Sequence, residues 1–516
     1  MSQINVSNLT FGYEGSFENV FEDVSFSVDT NWKLGFIGRN GKGKTTFLKL
    51  LFGKYEYEGS ISSSVIFDYF PYVVQGKELL KTAAELMEAW KPQVEYWRVL
   101  CELSQLSIDP ELLHRPFSTL SFGERTKVML AVLFSGENDF LLIDEPTNHL
   151  DIEAREIIKK YLAGKKGFIL VSHDRALLDA CIDHVLILNR ASIEVQAGNF
   201  SSWWENKEKA DNFARMENEK HIKEIGKLKM SADRTSRWAD KSENSKIGFD
   251  PIKENDRSIS TRSYIGAKTK KMQSRVKSFE NRIEREITEK EGLLQDIEEN
   301  IDLKIMPLEH YKDRLIECKN LSLKYSDGQE VVVKDLTFEV LQGERVFLNG
   351  TNGSGKSSLI KAILYRTGGD SERYMTQKEQ YGRLEIGGIL NTAPNITVSY
   401  INQDTSYLKG SLMDYSKNHG LDYSLFLSIL RQLDMNRVQF EKNMEDFSEG
   451  QKKKVLIAAS LLTRAHLYIW DEPLNYIDVF SRIQIEKLIE TYKPTMLIVE
   501  HDVKFREKLA TKEIML

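Results

Sequence analysis

Cysteine is scarce. The chain of 516 residues has three, at 101, 181 and 318, far apart and in no metal-ligand spacing. That argues against a disulfide scaffold or a cysteine-ligated zinc site and fits a reduced cytosolic compartment. Long apolar runs are missing too. None reaches the roughly 18–20 residues of a membrane helix, and the opening MSQINVSNLTFGYEG lacks the apolar core of a signal peptide. Excess positive charge is also absent: the formal net charge is −6, so the molecule as a whole is not a general nucleic-acid binder. The charge is unevenly spread, however. Residues 220–277 hold 16 Lys/Arg against 7 Asp/Glu, a balance of 16 − 7 = +9, which leaves −6 − 9 = −15 for the remainder. One polyanion-facing surface is the expectation. At about 150 residues per domain, the length suggests two to four domains.

The chain repeats itself. GRNGKGKTT (38–46) and GTNGSGKSS (350–358) both fit G-x-x-x-x-G-K-[ST], each between a strand-like apolar run and a helix-like one. Tyr13 precedes Lys44 by 31 residues, and Tyr325 precedes Lys356 by 31. LSFGE (120–124) matches FSEGQ (447–451), and Ser121 and Ser448 each stand 23 residues before an aspartate, Asp144 and Asp471. Glu145 and Glu472 follow those aspartates, and His173 and His501 come 28 and 29 residues later.

The chemistry of such a set is phosphate handling. Gly38, Gly41 and Gly43, with Asn40, and Gly350, Gly353 and Gly355, with Asn352, let backbone N–H groups face phosphate oxygens without a Cβ in the way. The helix that follows adds its positive end. Lys44 and Lys356 reach the β/γ-phosphates, and Thr45 and Ser357 offer a hydroxyl to Mg²⁺, with Thr46 and Ser358 alongside. Asp144 and Asp471 end apolar strands, so their carboxylates share the metal site at the C-terminal sheet edge. Lys452–Lys454 read as a solvated helix face.

These landmarks resemble the nucleotide-binding domains of the ABC ATPase superfamily, present twice. The resemblance implies an α/β fold: two tandem ABC-type P-loop nucleotide-binding domains joined by a long two-helix antiparallel hairpin. The domains are expected at 1–200 and 311–516, with the linker at 201–310. It implies two ATP molecules with Mg²⁺, and ATP hydrolysis. Glu145 and Glu472 would orient or deprotonate the attacking water, His173 and His501 would meet the γ-phosphate, and Tyr13 and Tyr325 would stack on adenine. One site would join Lys44, Asp144, Glu145 and His173 to Ser448, Gly450 and Gln451. The other would join Lys356, Asp471, Glu472 and His501 to Ser121 and Gly123. Gln403, in YINQD, would reach the second metal, whereas the first half has Tyr72 where glutamine is expected.

Between the halves, Met272, Val276, Phe279, Ile283, Ile287, Leu294 and Ile297 trace one helical stripe, and Phe213, Met216, Ile222, Ile225 and Leu228 trace a weaker one. The turn is expected at about 241–265. Near it lie Phe249, Arg257, Ile259, Arg262, Tyr264, Lys268, Lys270 and Lys271, cations and aromatics suited to entering RNA. From Lys44 to Ser121 is 77 residues and from Lys356 to Ser448 is 92, so neither half is interrupted by a coiled coil.

That layout resembles the ABC-F family of ribosome-binding ATPases. NWKLGFIGRNGKGKTT, GFILVSHDRALLD, SYIGAKTKK and IWDEPLNYIDVF resemble its antibiotic-resistance, ribosome-protection branch, linked to lincosamides, pleuromutilins and streptogramin A. The resemblance implies binding at the E site of the 70S ribosome, with 23S rRNA and peptidyl-tRNA as partners. It implies no membrane segment and no obligate protein partner. The alternatives are a housekeeping ABC-F translation factor and the ATPase subunit of a drug exporter.

Overall fold

A computed structural model describes residues 2–13, 19–137, 139–148, 150–188, 192–244, 270–271, 274, 276–279, 281–286, 303–325, 331–367 and 384–516. The chain forms two compact units: one joins Met1–Trp203 to Ile301–Leu516, and the other is Trp204–Asn300.

Each half of the larger unit has a mainly parallel sheet and a small antiparallel one. The first half's six strands run in the order Ile66–Phe70, Asp139–Asp144, Phe168–Val171, Lys33–Ile37, His184–Leu188, Ile193–Ala197, with only the last pair antiparallel. The second half's five parallel strands are Val398–Ile401, Leu467–Asp471, Met496–Val499, Arg345–Asn349 and Lys512–Met515. FLLID and LYIWD are near-continuous apolar runs because strands of a covered parallel sheet are buried on both faces. Trp470 and Tyr468 sit wholly inside and satisfy their polar ends. The Trp470 indole donates to Ser460 Oγ (3.0 Å) and the Tyr468 hydroxyl to Thr463 O (2.9 Å). Both aspartates thus stand at the C-terminal ends of central strands.

The second half starts to pack before residue 311. Leu303 and Ile305 are buried in its core, and Leu308 N–H donates to Ala465 O (2.9 Å). The helix Phe200–Asn244, most of it in the smaller unit, runs for 45 residues, past 241, where the turn was expected to begin. Its buried stripe matches the expected one at Ile225 and Leu228 and differs at Phe213, Met216 and Ile222. Ala214 and Ile225 are buried with Asn218, His221 and Leu228 half-buried, a period near 3.6 residues, while Phe213, Met216 and Ile222 lie on the adjoining face and are exposed. On the return segment Ile283 is buried, Val276 half-buried and Phe279 exposed. Lys270 and Lys271 are helical and exposed. Phe249, Arg257, Ile259, Arg262, Tyr264, Lys268, Met272, Ile287, Leu294 and Ile297 lie outside the described residues. Among the described residues, no helix is long and apolar enough to cross a membrane.

Candidate ATP sites

Each P-loop turns from a strand end into the helices Lys44–Leu51 and Lys356–Thr367. The turn needs glycine at its last position. Gly43 has φ 110° and Gly355 φ 97°, and a Cβ would lie 2.5 Å from Val20 Cγ1 or 2.7 Å from Val333 Cγ2. Both P-loop lysines fold along the loop. Lys44 Nζ donates to the carbonyls of Gly38 (2.6 Å) and Arg39 (3.1 Å), and Lys356 Nζ to those of Gly350 and Thr351 (both 2.8 Å). Burial pulls both ammonium groups below the usual lysine range. The expected tyrosines come to the same helices. Tyr13 OH is 2.7 Å from Thr46 Oγ1, and Tyr325 OH is 2.8 Å from Ser358 Oγ.

Hydroxyl and carboxylate pair as the sequence suggests. Thr45 Oγ1 donates to Asp144 Oδ2 (2.7 Å) and Ser357 Oγ to Asp471 Oδ2 (3.3 Å). These oxygen pairs fit a hard divalent cation. Burial, with Glu472 beside it, pushes the Asp471 carboxyl up to about 6. The glutamates that follow share a left-handed backbone, with φ 51° at Glu145 and 47° at Glu472, and each N–H extends its strand's ladder, to Val171 O and Val499 O (both 2.9 Å). Left-handed glutamate is uncommon and costs energy, so the surrounding structure must hold it.

The two glutamates differ in surroundings. Glu472 Oε2 accepts from Gln403 Nε2 (2.8 Å) and Asn475 Nδ2 (2.7 Å), and its Oε1 lies 3.5 Å from His501 Nε2. Burial alone would raise its carboxyl, but His501, Lys453 and Gln403 outweigh it and hold Glu472 below the usual range. Glu145 Oε2 accepts weakly from His173 N–H (3.4 Å). Its Oε1 is 3.2 Å from His173 Nε2 in poor alignment and, among the described residues, has no hydrogen bond. Burial and Asp144 push Glu145 up to about 8. Burial, with Lys44 and Arg482, holds His173 well below the usual histidine value, so it is neutral. Gln403 thus contacts the glutamate of its own half.

The signature segments are helix starts. Ser121 and Ser448 cap the helices Phe122–Phe134 and Glu449–Leu462 in capping boxes with Glu124 and Gln451. Gly123 lies in the first turn. At Gly450 a Cβ would meet Tyr476 O at 2.6 Å. Lys452–Lys454 is not a solvated face: Lys453 and Lys454 are buried, because both sides of that helix are covered, and only Lys452 pairs locally, with Glu449 (3.2 Å). Lys454 Nζ pairs with Asp478 (3.2 Å), which is fully buried and caps the helix Val479–Tyr492.

The halves meet at the first P-loop. Asn40 Nδ2 donates to Tyr476 O (2.7 Å), and Arg39 lies 3.4 Å from Asp434. Lys44 feels the charge of Asp478, and Lys356 that of Asp151, so each P-loop lysine faces the other half's capping aspartate. Behind the sites, Arg175 grips Glu486 through both carboxylate oxygens, and Lys504 pairs with Asp179. Sequence reading missed these partners and Tyr69, whose hydroxyl donates to Asp144 Oδ2 (3.0 Å). The recurrence of Asp151 and Asp478 was the one available signal.

The ABC transporter family profile matches residues 21–148 and 333–475. The ribosome protection protein VmlR of Bacillus subtilis (strain 168) is 26% identical, over 98% of this chain and 85% of its own length. The ATP-binding protein Uup of Buchnera aphidicola is also 26% identical, over 99% of this chain and 80% of its own length. Among solved structures, the archaeal ribosome recycling factor aABCE1, in complex with ribosomal stalk protein aP1, shares the fold. Its TM-score is 0.59 at 19% identity, covering 98% of this chain and 87% of that one.

Proposed function

The chain belongs to the ABC transporter family and is an ATP hydrolase, and from this premise we propose that it is an ABC-F protein that binds the ribosome in its ATP state and dislodges drugs from the peptidyl-transferase centre. Its ATP sites lie where the halves face each other. Lys44 and Lys356 take the phosphates, Tyr13 and Tyr325 the adenine, and Glu145 and Glu472 the attacking water. The metal would be held by Thr45 with Asp144 and by Ser357 with Asp471, with Gln403 beside the second, and it would neutralise charge on the phosphates. ATP draws the halves together, and hydrolysis releases them.

One observation carries the ribosomal part. A separate unit, Trp204–Asn300, stands between two complete ATPase halves, and the helix that leads into it, Phe200–Asn244, is 45 residues long, about 68 Å at 1.5 Å per residue. An ATPase acting only on nucleotide has no use for such a reach. The basic excess of residues 220–277 suits a phosphate-rich target. The 26% identity to a ribosome protection protein supports the same reading. We place the working contacts at the E site, toward 23S rRNA and peptidyl-tRNA, with lincosamides, pleuromutilins or streptogramin A as the displaced drugs and the cytoplasm as the compartment.

In vitro translation inhibited by a lincosamide or pleuromutilin tests this directly. Purified protein should restore synthesis, and the variant with residues 256–271 shortened should not, while retaining its ATPase. No restoration with any of the three drug classes would end the drug reading. A second reading is a translation factor acting on stalled ribosomes without drug specificity, and the equal identity to Uup, an ATP-binding protein by its name, leaves the match to a ribosome protection protein unfavoured over it. That reading predicts ribosome binding by the Glu145→Gln, Glu472→Gln double variant in ATP, without drug relief.

A further inference from the structure

The two ATP sites are built differently at one place. Sheet register sets the correspondence: Phe70 pairs with Ile143 and Ile401 with Trp470, each one residue before the aspartate. Pro71 therefore corresponds to Asn402, and Tyr72 to Gln403. In the second half Gln403 reaches Glu472. In the first half Tyr72 is held elsewhere. Its hydroxyl donates to Asp68 Oδ2 (2.7 Å), and its ring stacks on Trp90 with centroids 4.6 Å apart and planes 8° apart. Asp68 is fixed in turn by Lys91 (2.8 Å).

A second difference accompanies the first. Lys453, five residues after Ser448, is 3% exposed. Its ammonium donates to Asn402 O (3.0 Å), the carbonyl just before Gln403, and among the described residues it makes no ion pair. Asp471, Glu472, Glu500 and Glu449 surround it at longer range. A buried ammonium is costly, and an apolar side chain would fill the space at less cost. Five residues after Ser121 stands Thr126, which carries no ammonium.

We propose that Lys453 is a positioning residue of the second ATP site: by holding the Asn402 carbonyl it fixes the turn that delivers the Gln403 amide to Glu472, and the first site, with Thr126 and Tyr72, lacks this support. Gln403 and Asn475 both bind Glu472 Oε2, which leaves Oε1 as the oxygen beside His501. Carboxylate orientation is the quantity that water positioning depends on. Among the described residues, Glu145 has no such pair of donors on one oxygen. The second site is therefore the faster of the two. The inference rests on Glu472 as the residue that handles water.

The test is site-resolved ATPase. In the Glu145→Gln background, Lys453→Met keeps the aliphatic stem and removes the donor. We expect kcat to fall about tenfold or more, with KM for ATP changed less than about twofold, and Lys453→Arg to recover part of the loss. In the Glu472→Gln background, Thr126→Lys with Tyr72→Gln should raise first-site kcat. This second arm stays informative if Lys453→Met misfolds. Unchanged kcat in Lys453→Met, or a loss confined to KM, overturns the proposal, as does a first site no faster after the double exchange. Persistent turnover in Glu145→Gln, Glu472→Gln protein instead overturns the role of the glutamates.

Discussion

Arg175→Met should destabilise the junction between the halves far more than the loss of a surface ion pair would. Arg175 opens the helix that follows His173, and its guanidinium binds Glu486 bidentately, with Nη1–Oε2 at 3.2 Å. Glu486 is 1% exposed, and burial already pushes its carboxyl above the usual range despite Arg175. Without Arg175 the carboxylate keeps, among the described residues, only Lys508 as an ion-pair partner, 3.8 Å away and itself partly solvated. Breaking a buried pair from one side costs about 3–5 kcal/mol, and Lys508 should hold the figure near about 3 kcal/mol. For a cooperative unit of 150–250 residues that corresponds to about 6–12 °C in Tm. Arg175→Met with Glu486→Gln removes both partners and should cost about 1 kcal/mol or less, because Asp502, 3.9 Å from Arg175, keeps Arg482 at 3.0 Å and no buried charge loses its last partner. Calorimetry on the two single variants and the double variant closes the cycle. A shift under about 2 °C for Arg175→Met, or a double variant as unstable as the sum of the singles, would refute the argument.

Asp478→Asn strands the ammonium of Lys454 in the interior and weakens the cap on Ser481 N–H. Denaturant unfolding should show a loss of about 2–4 kcal/mol. Glu145 has a folded value of about 8 against an ordinary 4.5, so the native state keeps a proton that the unfolded chain releases, and stability falls as pH rises between those values. Glu145→Gln should therefore be more stable than the parent by a margin that is absent below about pH 4.5, widens with pH and levels off above about 8. Urea midpoints of nucleotide-free protein at several pH values measure it. Gly450→Ala forces a Cβ to within 2.6 Å of Tyr476 O, backbone that the Asn40 contact also uses. ATPase activity should fall about tenfold or more, with the circular dichroism spectrum retained.

The sequence spoke clearly where chemistry demands fixed spacing. The P-loops and the strand-ending aspartates occupy the expected elements, because each depends on neighbours within a few positions. It misled where burial is decided at a distance. Lys452–Lys454 has the composition of a wet surface, yet Lys454 is drawn inside by Asp478 and Lys453 by the Asn402 carbonyl, 51 residues away. The substitution of Tyr72 for glutamine was readable, but its destination beside Asp68 and Trp90 depends on the packing of the helix Ala83–Trp90. Arg175 and Glu486 are 311 positions apart and carry no local signal of pairing. In the smaller unit Ile225 and Leu228 of the expected stripe do lie on the packed face, with Ala214, whereas Phe213, Met216 and Ile222 were included for their apolar bulk and are exposed.

The bond from Asn40 to the carbonyl of Tyr476 spans 436 positions of one polypeptide. A machine assembled from separate subunits must find its complement by diffusion, and it falls idle on dilution. Here the complement travels on the same molecule, at an effective concentration set by the tether alone. Turnover per molecule should therefore stay constant as the protein is diluted to the scarcity of a single copy in a cell.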